Sequence, residues 1–212
     1  MIESVASRGL RILIIVNGAQ EHRPFYSKVG TDLIARGHDV QFCLDSHYTD
    51  YLYSESKLDP GRSHYFSDYF RAHADRRTLP AELEDLNAWT MAFPDVERMM
   101  HSRFAKRVGD AAYYESFLAN LGHFFVELFD RFEFDAVVYE NVSNTISYFA
   151  YEVATRKNAL YVGFIPSRMP GRLDIVDYRF ARDTELAKTF HELRTGRRQM
   201  TPVVRAFVDD YL

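Results

Sequence analysis

Three short polar clusters in this sequence hold the residue types that could do chemistry. The first runs from Asn17 to Arg23 and offers Asn17, Gln20, Glu21, His22 and Arg23 beside Gly18, whose missing side chain would let a ligand approach the backbone. The second, Glu140-Asn141-Val142-Ser143-Asn144, combines a carboxylate with two amides and a hydroxyl. The third offers Ser167, Arg168 and Arg172. Glu21, His22 and Glu140 are the groups able to accept a proton from a hydroxyl, because burial or a neighbouring charge can bring a carboxylate or an imidazole into the neutral range. Glu21 or His22 is the expected base. Asn17, Gly18, Gln20, Arg23, Glu140, Asn141, Ser143, Asn144, Ser167, Arg168 and Arg172 are expected to line a binding site, with the arginines suited to a carboxylate or phosphate.

Each cluster also has an ordinary structural reading. Ser143 and Asn144 suit the cap of a helix, Glu21 and His22 suit a solvated loop, and Arg168 and Arg172 could pair with Asp174. Glu140 resists such a reading, since a carboxylate placed directly after a buried strand is costly without a partner.

The surrounding pattern is that of an α/β domain. Arg11 to Asn17 is a continuous apolar, β-branched run of the kind buried on both faces of a parallel sheet. Pro24 suits a helix start, Tyr26, Val29, Leu33 and Ile34 recur at helical spacing, and Gly37 suits the helix end. Asp39–Leu44, Phe134–Tyr139 and Ala159–Ile165 read as the second, third and fourth strands. A long amphipathic helix is expected over Asp110–Phe132, and shorter ones around Ile146–Ala154, Asp183–Thr195 and from Thr201 onward. Ser167–Asp177 reads as a loop or short extended piece. The expected fold is a Rossmann-like open parallel sheet flanked by helices, with a largely helical insertion between strands 2 and 3 (about residues 46–132). In such a sheet ligands bind beyond the carboxyl ends of the strands, which is where all three polar clusters fall.

Composition removes several classes of function. A net charge of -4 argues against a dedicated nucleic-acid binder. A single cysteine, Cys43, excludes an internal disulfide and a cysteine metal cluster, and the remaining histidines have no ligand spacing, so no metal is expected. No run approaches the roughly 20 apolar residues of a membrane span, and a cytoplasmic protein is expected. Arg62–Arg77 interleaves Tyr65, Phe66, Tyr69 and Phe70 with basic residues, a pattern that suits either contact with an anionic membrane or a half-buried helix with a basic edge. Glycines spaced G-x-G, a phosphate loop, a G-x-S-x-G elbow and a D-x-D pair are all missing from the sequence.

The run Arg11-Ile-Leu-Ile-Ile-Val-Asn-Gly18, followed by Leu33-Ile-Ala-Arg-Gly-His-Asp-Val-Gln-Phe42, resembles the N-terminal domain of GT-B-type glycosyltransferases. Tyr139 to Asn144 together with Gly163 to Arg172 is similar to segments of bacterial capsular-polysaccharide biosynthesis proteins of that architecture. These segments cover about half the chain. The resemblance implies that residues 1–212 form the acceptor-side domain of a two-domain enzyme whose C-terminal domain is missing from this chain. It implies transfer of a sugar to a glycan or lipid-linked acceptor, with no cofactor held here, because the nucleotide-sugar donor would bind mainly the second domain. Peripheral contact with the inner membrane follows from such an acceptor. Two other readings remain, a sugar- or nucleotide-binding regulatory module and a sugar-nucleotide epimerase-like domain.

Overall fold

The computed structural model describes residues 8–17, 22–47, 58–90, 92, 95, 111–167, 171–176 and 184–211. Two compact units divide the chain, Met1–Phe180 and Ala181–Leu212.

The first unit is built on one six-stranded sheet. Its strands are β1 (Arg11–Val16), β2 (Asp39–Leu44), β3 (Ser63–Tyr65), β4 (Ala136–Glu140), β5 (Leu160–Pro166) and β6 (Leu173–Val176), in the spatial order β3-β2-β1-β4-β5-β6. All neighbours pair in parallel except β5 and β6. β1 and β2 are buried almost throughout because helices cover both faces, and their unbroken apolar sequences follow from that burial. The Rossmann-like sheet read from the sequence is therefore present.

Among the described residues this unit also holds α1 (His22–Ala35), α2 (Phe66–Ala72), α3 (Ala111–Phe132) and α4 (Thr145–Arg156), and Trp89, Thr90, Ala92 and Asp95 are helical too. α1 packs on β1 and β2, α4 packs on β4 and β5, and α3 packs against α2 and α4. Leu118, Leu121, Phe125 and Phe129 stand three and four residues apart along α3 and are buried, so its apolar stripe faces inward. Gly37 takes φ +88° at the end of α1, where a side chain would be strained. The chain then enters β2.

The insertion carries α2 and α3, in keeping with the helical expectation, and adds an element not expected. Between β2 and β4 it contributes an edge strand, β3, preceded by a 3-10 turn at Pro60–Arg62 and followed by α2. A second 3-10 turn, Ala81–Leu83, follows within the insertion, and residues 91, 93–94 and 96–110 lie outside the described ones. In the basic-aromatic stretch Arg62–Arg77 the aromatic rings turn toward the core. Phe66 is buried, while Tyr65, Tyr69 and Phe70 pack against the core. Arg62 bonds Asp39 and the Val40 carbonyl, and Arg76 donates to the Tyr69 hydroxyl. No helix among the described residues is long and apolar enough to cross a membrane.

The second unit holds α5 (Thr184–Arg194) and α6 (Pro202–Tyr211). Gly196, at φ +71°, follows α5, and Pro202 opens α6 in the position proline favours.

Candidate functional site

The strand order fixes where a ligand crevice can form. α1 carries the chain from β1 to β2 on one side, and α4 carries it from β4 to β5 on the other. The connections diverge between β1 and β4, and the carboxyl ends of those strands bear Asn17 and Glu140. Open α/β sheets bind their ligands at such a divergence.

Glu140 is the last residue of β4, and its side chain is 21% exposed. Its Oε1 accepts from Asn144 Nδ2 at 2.5 Å and from Ser143 Oγ at 3.5 Å. Its Oε2 faces His22 Nε2 at 4.0 Å. His22 begins α1, and its Nδ1 is buried without a hydrogen-bond partner. Burial raises the Glu140 carboxyl above the ordinary carboxylate range, and His22, Tyr139, Ser143 and Asn144 only partly oppose that rise. The group is thus poised to take up a proton closer to neutrality than an exposed glutamate would.

Three tyrosines surround this carboxylate. Asn17 Nδ2 donates to the Tyr139 hydroxyl at 2.6 Å, and Tyr161 donates to the Glu140 carbonyl at 2.8 Å. Tyr26 packs 5.9 Å from Tyr139, ring centre to ring centre, and Phe25 meets Phe164 edge-on at 5.6 Å. Burial, followed by the charge of Glu140, raises the ionisation of Tyr26, Tyr139 and Tyr161 far beyond neutrality. All three rings therefore stay neutral and can donate a hydrogen bond without adding charge.

The loop after β4 is held from within. Asn144 is the N-cap of α4, and it forms a reciprocal capping box with Ser147. Its Oδ1 accepts from Ser147 N at 2.9 Å while its Nδ2 serves Glu140. One side chain thus caps α4 and holds the Glu140 carboxylate. Ser143 is also tied into the turn, its N–H donating to Ser147 Oγ at 3.1 Å.

The other expected residues fall differently. Asn141 is half-buried beside Glu140, and its Cα backs onto Gly163. Arg23 is 2% exposed, so its side chain lies within the domain. Ser167 donates its N–H to the Arg172 carbonyl at 3.1 Å, closing the β5–β6 hairpin, and Arg172 is exposed. Gly18, Gln20, Glu21 and Arg168 lie outside the described residues. Sequence reasoning missed the tyrosines, although Tyr26 stands one helical turn beyond His22 and Tyr139 directly precedes Glu140. It also missed Asp95, whose carboxylate accepts from Thr145 N at 2.6 Å. Nothing in the sequence links two residues so far apart.

A larger cavity, of about 470 Å³, lies at the opposite, amino ends of the strands. Both of its cations are paired with acids. Arg11 pairs with Glu133 and Asp135, and Lys157 pairs with Asp130 and Glu82. Paired charges of this kind suit stability, not binding.

No protein-family model and no curated protein matches the chain. Among solved structures it is similar to a CDPS (cyclodipeptide synthase) from Fluoribacter dumoffii, with 14% identity and a TM-score of 0.39 over 80% of this chain and 91% of that one. This match overturns the likeness to GT-B glycosyltransferases and capsular-polysaccharide proteins. Sugar transfer, the sugar-binding and epimerase-like alternatives, and the glycan or lipid-linked acceptor are withdrawn with it. The expected lack of a nucleic-acid partner, which rested on net charge, is withdrawn as well.

Proposed function

We propose that this chain is an enzyme in which Glu140 takes a proton from a neutral nucleophile, the O–H or N–H of a small polar substrate, during group transfer. The observation that carries this reading is a buried carboxylate at the divergence of β1 and β4, its proton affinity raised by burial and its Oε1 fixed by amide and hydroxyl donors. A merely structural glutamate would be expected to have its charge matched. Here the facing imidazole is 4.0 Å away, outside hydrogen-bond range. Asn144, Ser143 and Tyr139 hold the carboxylate in place, and in this reading it is the acceptor that meets the substrate proton. His22 faces Oε2 from 4.0 Å. The neutral rings of Tyr26, Tyr139 and Tyr161 wall the site, and Asn17 holds the Tyr139 hydroxyl in place. Of the expected base candidates His22 faces the acid across 4.0 Å, and Glu140 is the group that takes the proton. The single cysteine, buried in β2, suits the reducing cytoplasm, where we place the protein.

The test is a ligand-observed NMR screen of amino acids, amines, nucleosides and small acyl compounds, followed by turnover assays on the hits. Glu140→Gln is expected to lower turnover by about 100- to 10,000-fold, the range of general-base catalysis, while affinity changes only a few-fold. Turnover that survives in Glu140→Gln, or hits that bind without any turnover, would overturn the proposal.

A further inference from the structure

β4 places the Glu140 backbone, but its carboxylate is steered by Asn144, and Asn144 is the cap of α4. What holds the first turn of α4 therefore also holds the donor on Glu140. Within the turn that task falls to the Asn144–Ser147 box. A second clamp comes from the insertion. One oxygen of Asp95, Oδ2, accepts from both Thr145 N at 2.6 Å and Thr145 Oγ1 at 2.5 Å. Thr145 is 5% exposed, and it is the first residue of α4, immediately after Asn144. A carboxylate at a helix N-terminus is also favoured by the helix dipole.

We propose that Asp95 is a positioning residue for Glu140, acting through Thr145 and Asn144. This rests on the reading of Glu140 as the proton acceptor. Without Asp95, a backbone N–H and a buried hydroxyl lose their acceptor, and the first turn of α4 must shift to find others. Asn144 then moves with it, and the bond from its Nδ2 to Glu140 Oε1 is the contact that fails.

The sign of the effect separates this role from simple electrostatics. Among the described residues, the titratable groups that face Glu140 are His22 and Tyr26 from α1, Tyr139 from β4 and Tyr161 from β5. Asp95 adds a negative charge on the far side of Thr145. Removing that charge alone would ease ionisation of Glu140 and lower its pKa. Losing the Asn144 donor instead takes stabilisation from the carboxylate and raises the pKa, by about one unit for one charge-assisted hydrogen bond.

The experiment is a carbon-detected NMR titration of the glutamate side chains in the uniformly labelled protein, with the Glu140 signal identified by its loss in Glu140→Gln. Asp95→Ala is expected to move the Glu140 midpoint upward by about one unit. Asp95→Asn keeps an acceptor for Thr145 while removing the charge, so its midpoint is expected to stay or fall. Thr145→Val removes only the hydroxyl donor and is expected to shift the midpoint in the same direction as Asp95→Ala, by less; it serves where Asp95→Ala fails to fold. An unchanged or lowered midpoint in Asp95→Ala, or in Thr145→Val where that variant stands in, overturns the positioning role even if the melting temperature falls. The wild-type midpoint is a separate readout. A Glu140 that titrates as an ordinary exposed glutamate would sink the reading of the site itself.

Discussion

Replacing Gly163 with alanine tests how tightly the back of the site is closed. Gly163 lies on β5 between Tyr139 of β4 and Val176 of β6 in the sheet register. A Cβ there would come 2.7 Å from Val176 Cγ2, 3.0 Å from the Glu140 carbonyl oxygen and 3.2 Å from Asn141 Cα. The first contact involves a side chain that can turn aside. The other two involve the backbone that carries the proton acceptor, and the Glu140 carbonyl is already held by Tyr161 at 2.8 Å. Overpacking of this kind costs about 1–3 kcal/mol. Because Gly163 is not in the left-handed region, alanine returns about 0.4–1 kcal/mol by restricting the unfolded chain. The net loss is about 1–2 kcal/mol. For a chain of this size that corresponds to a fall of roughly 2–8 °C in melting temperature. Thermal and urea denaturation of Gly163→Ala measure the loss directly. The double mutant Gly163→Ala/Val176→Ala is expected to lose less than the sum of its parts, because the side-chain contact is relieved while the backbone contacts remain. An alanine variant as stable as the parent, or more stable, would refute the close approach.

Two further outcomes follow from buried polar groups. Glu140 has its carboxyl raised in the folded chain, so its stabilising contribution is present below the unfolded pKa of about 4.3 and is lost as pH rises through the folded value. Glu140→Gln is therefore expected to become progressively more stable than the wild type on going from pH 4 to neutrality, by about 1.4 kcal/mol for each unit of elevation. Paired melting curves across that range check it, and a gap that does not change with pH would contradict the sign. Asn120 on α3 is wholly buried, its Nδ2 donating to the carbonyls of His73 and Ser116 at 2.9 and 2.8 Å. Asn120→Ala is expected to cost about 1–3 kcal/mol by orphaning the His73 carbonyl. Hydrogen exchange should quicken in α2 and the turn after it and stay slow in β1 and β4; uniform quickening would show that this knot is not what ties the insertion down.

The parts of the fold visible in the sequence are those written in long periods. Arg11–Val16 could only be a strand buried on both faces, and the apolar stripe over Ala111–Phe132 could only be one face of a long helix. β3 and β6 were not visible because three and four residues are too few to establish alternation. The resemblance to a sugar-transferase domain misled for a physical reason. In Arg36-Gly37-His38-Asp39-Val40, Gly37 supplies the left-handed turn after α1, His38 Nδ1 accepts from Leu10 N at 3.0 Å, and Val40 enters the core of β2. Those tasks belong to any tight helix-to-strand return beside a first strand, whatever the protein acts on. Gly163, in the later motif, is likewise set by packing against β4 and β6. Asn17, Glu140 and Asn144 were accessible because each ends a strand or opens a helix. Asp95 was not, since its role exists only once the insertion folds back over α4.

The two polar regions of the sheet show which end is the working one. At the amino ends, Arg11, Lys157, Asp130, Glu133 and Asp135 answer one another, and burial asks little of them because they lie at the surface. At the carboxyl ends a carboxylate is drawn into a wall of aromatic rings, where burial opposes its charge and the facing imidazole is too far to bond it. A protein under selection for stability alone would replace Glu140 with glutamine, which keeps the bonds from Asn144 and Ser143 and removes the charge. Retaining the acid has a use if its proton affinity is what the site needs. The stability measurement and the turnover measurement on Glu140→Gln are therefore expected to move in opposite directions. A variant that gained stability at neutral pH without losing turnover would leave the buried charge with no function to account for it.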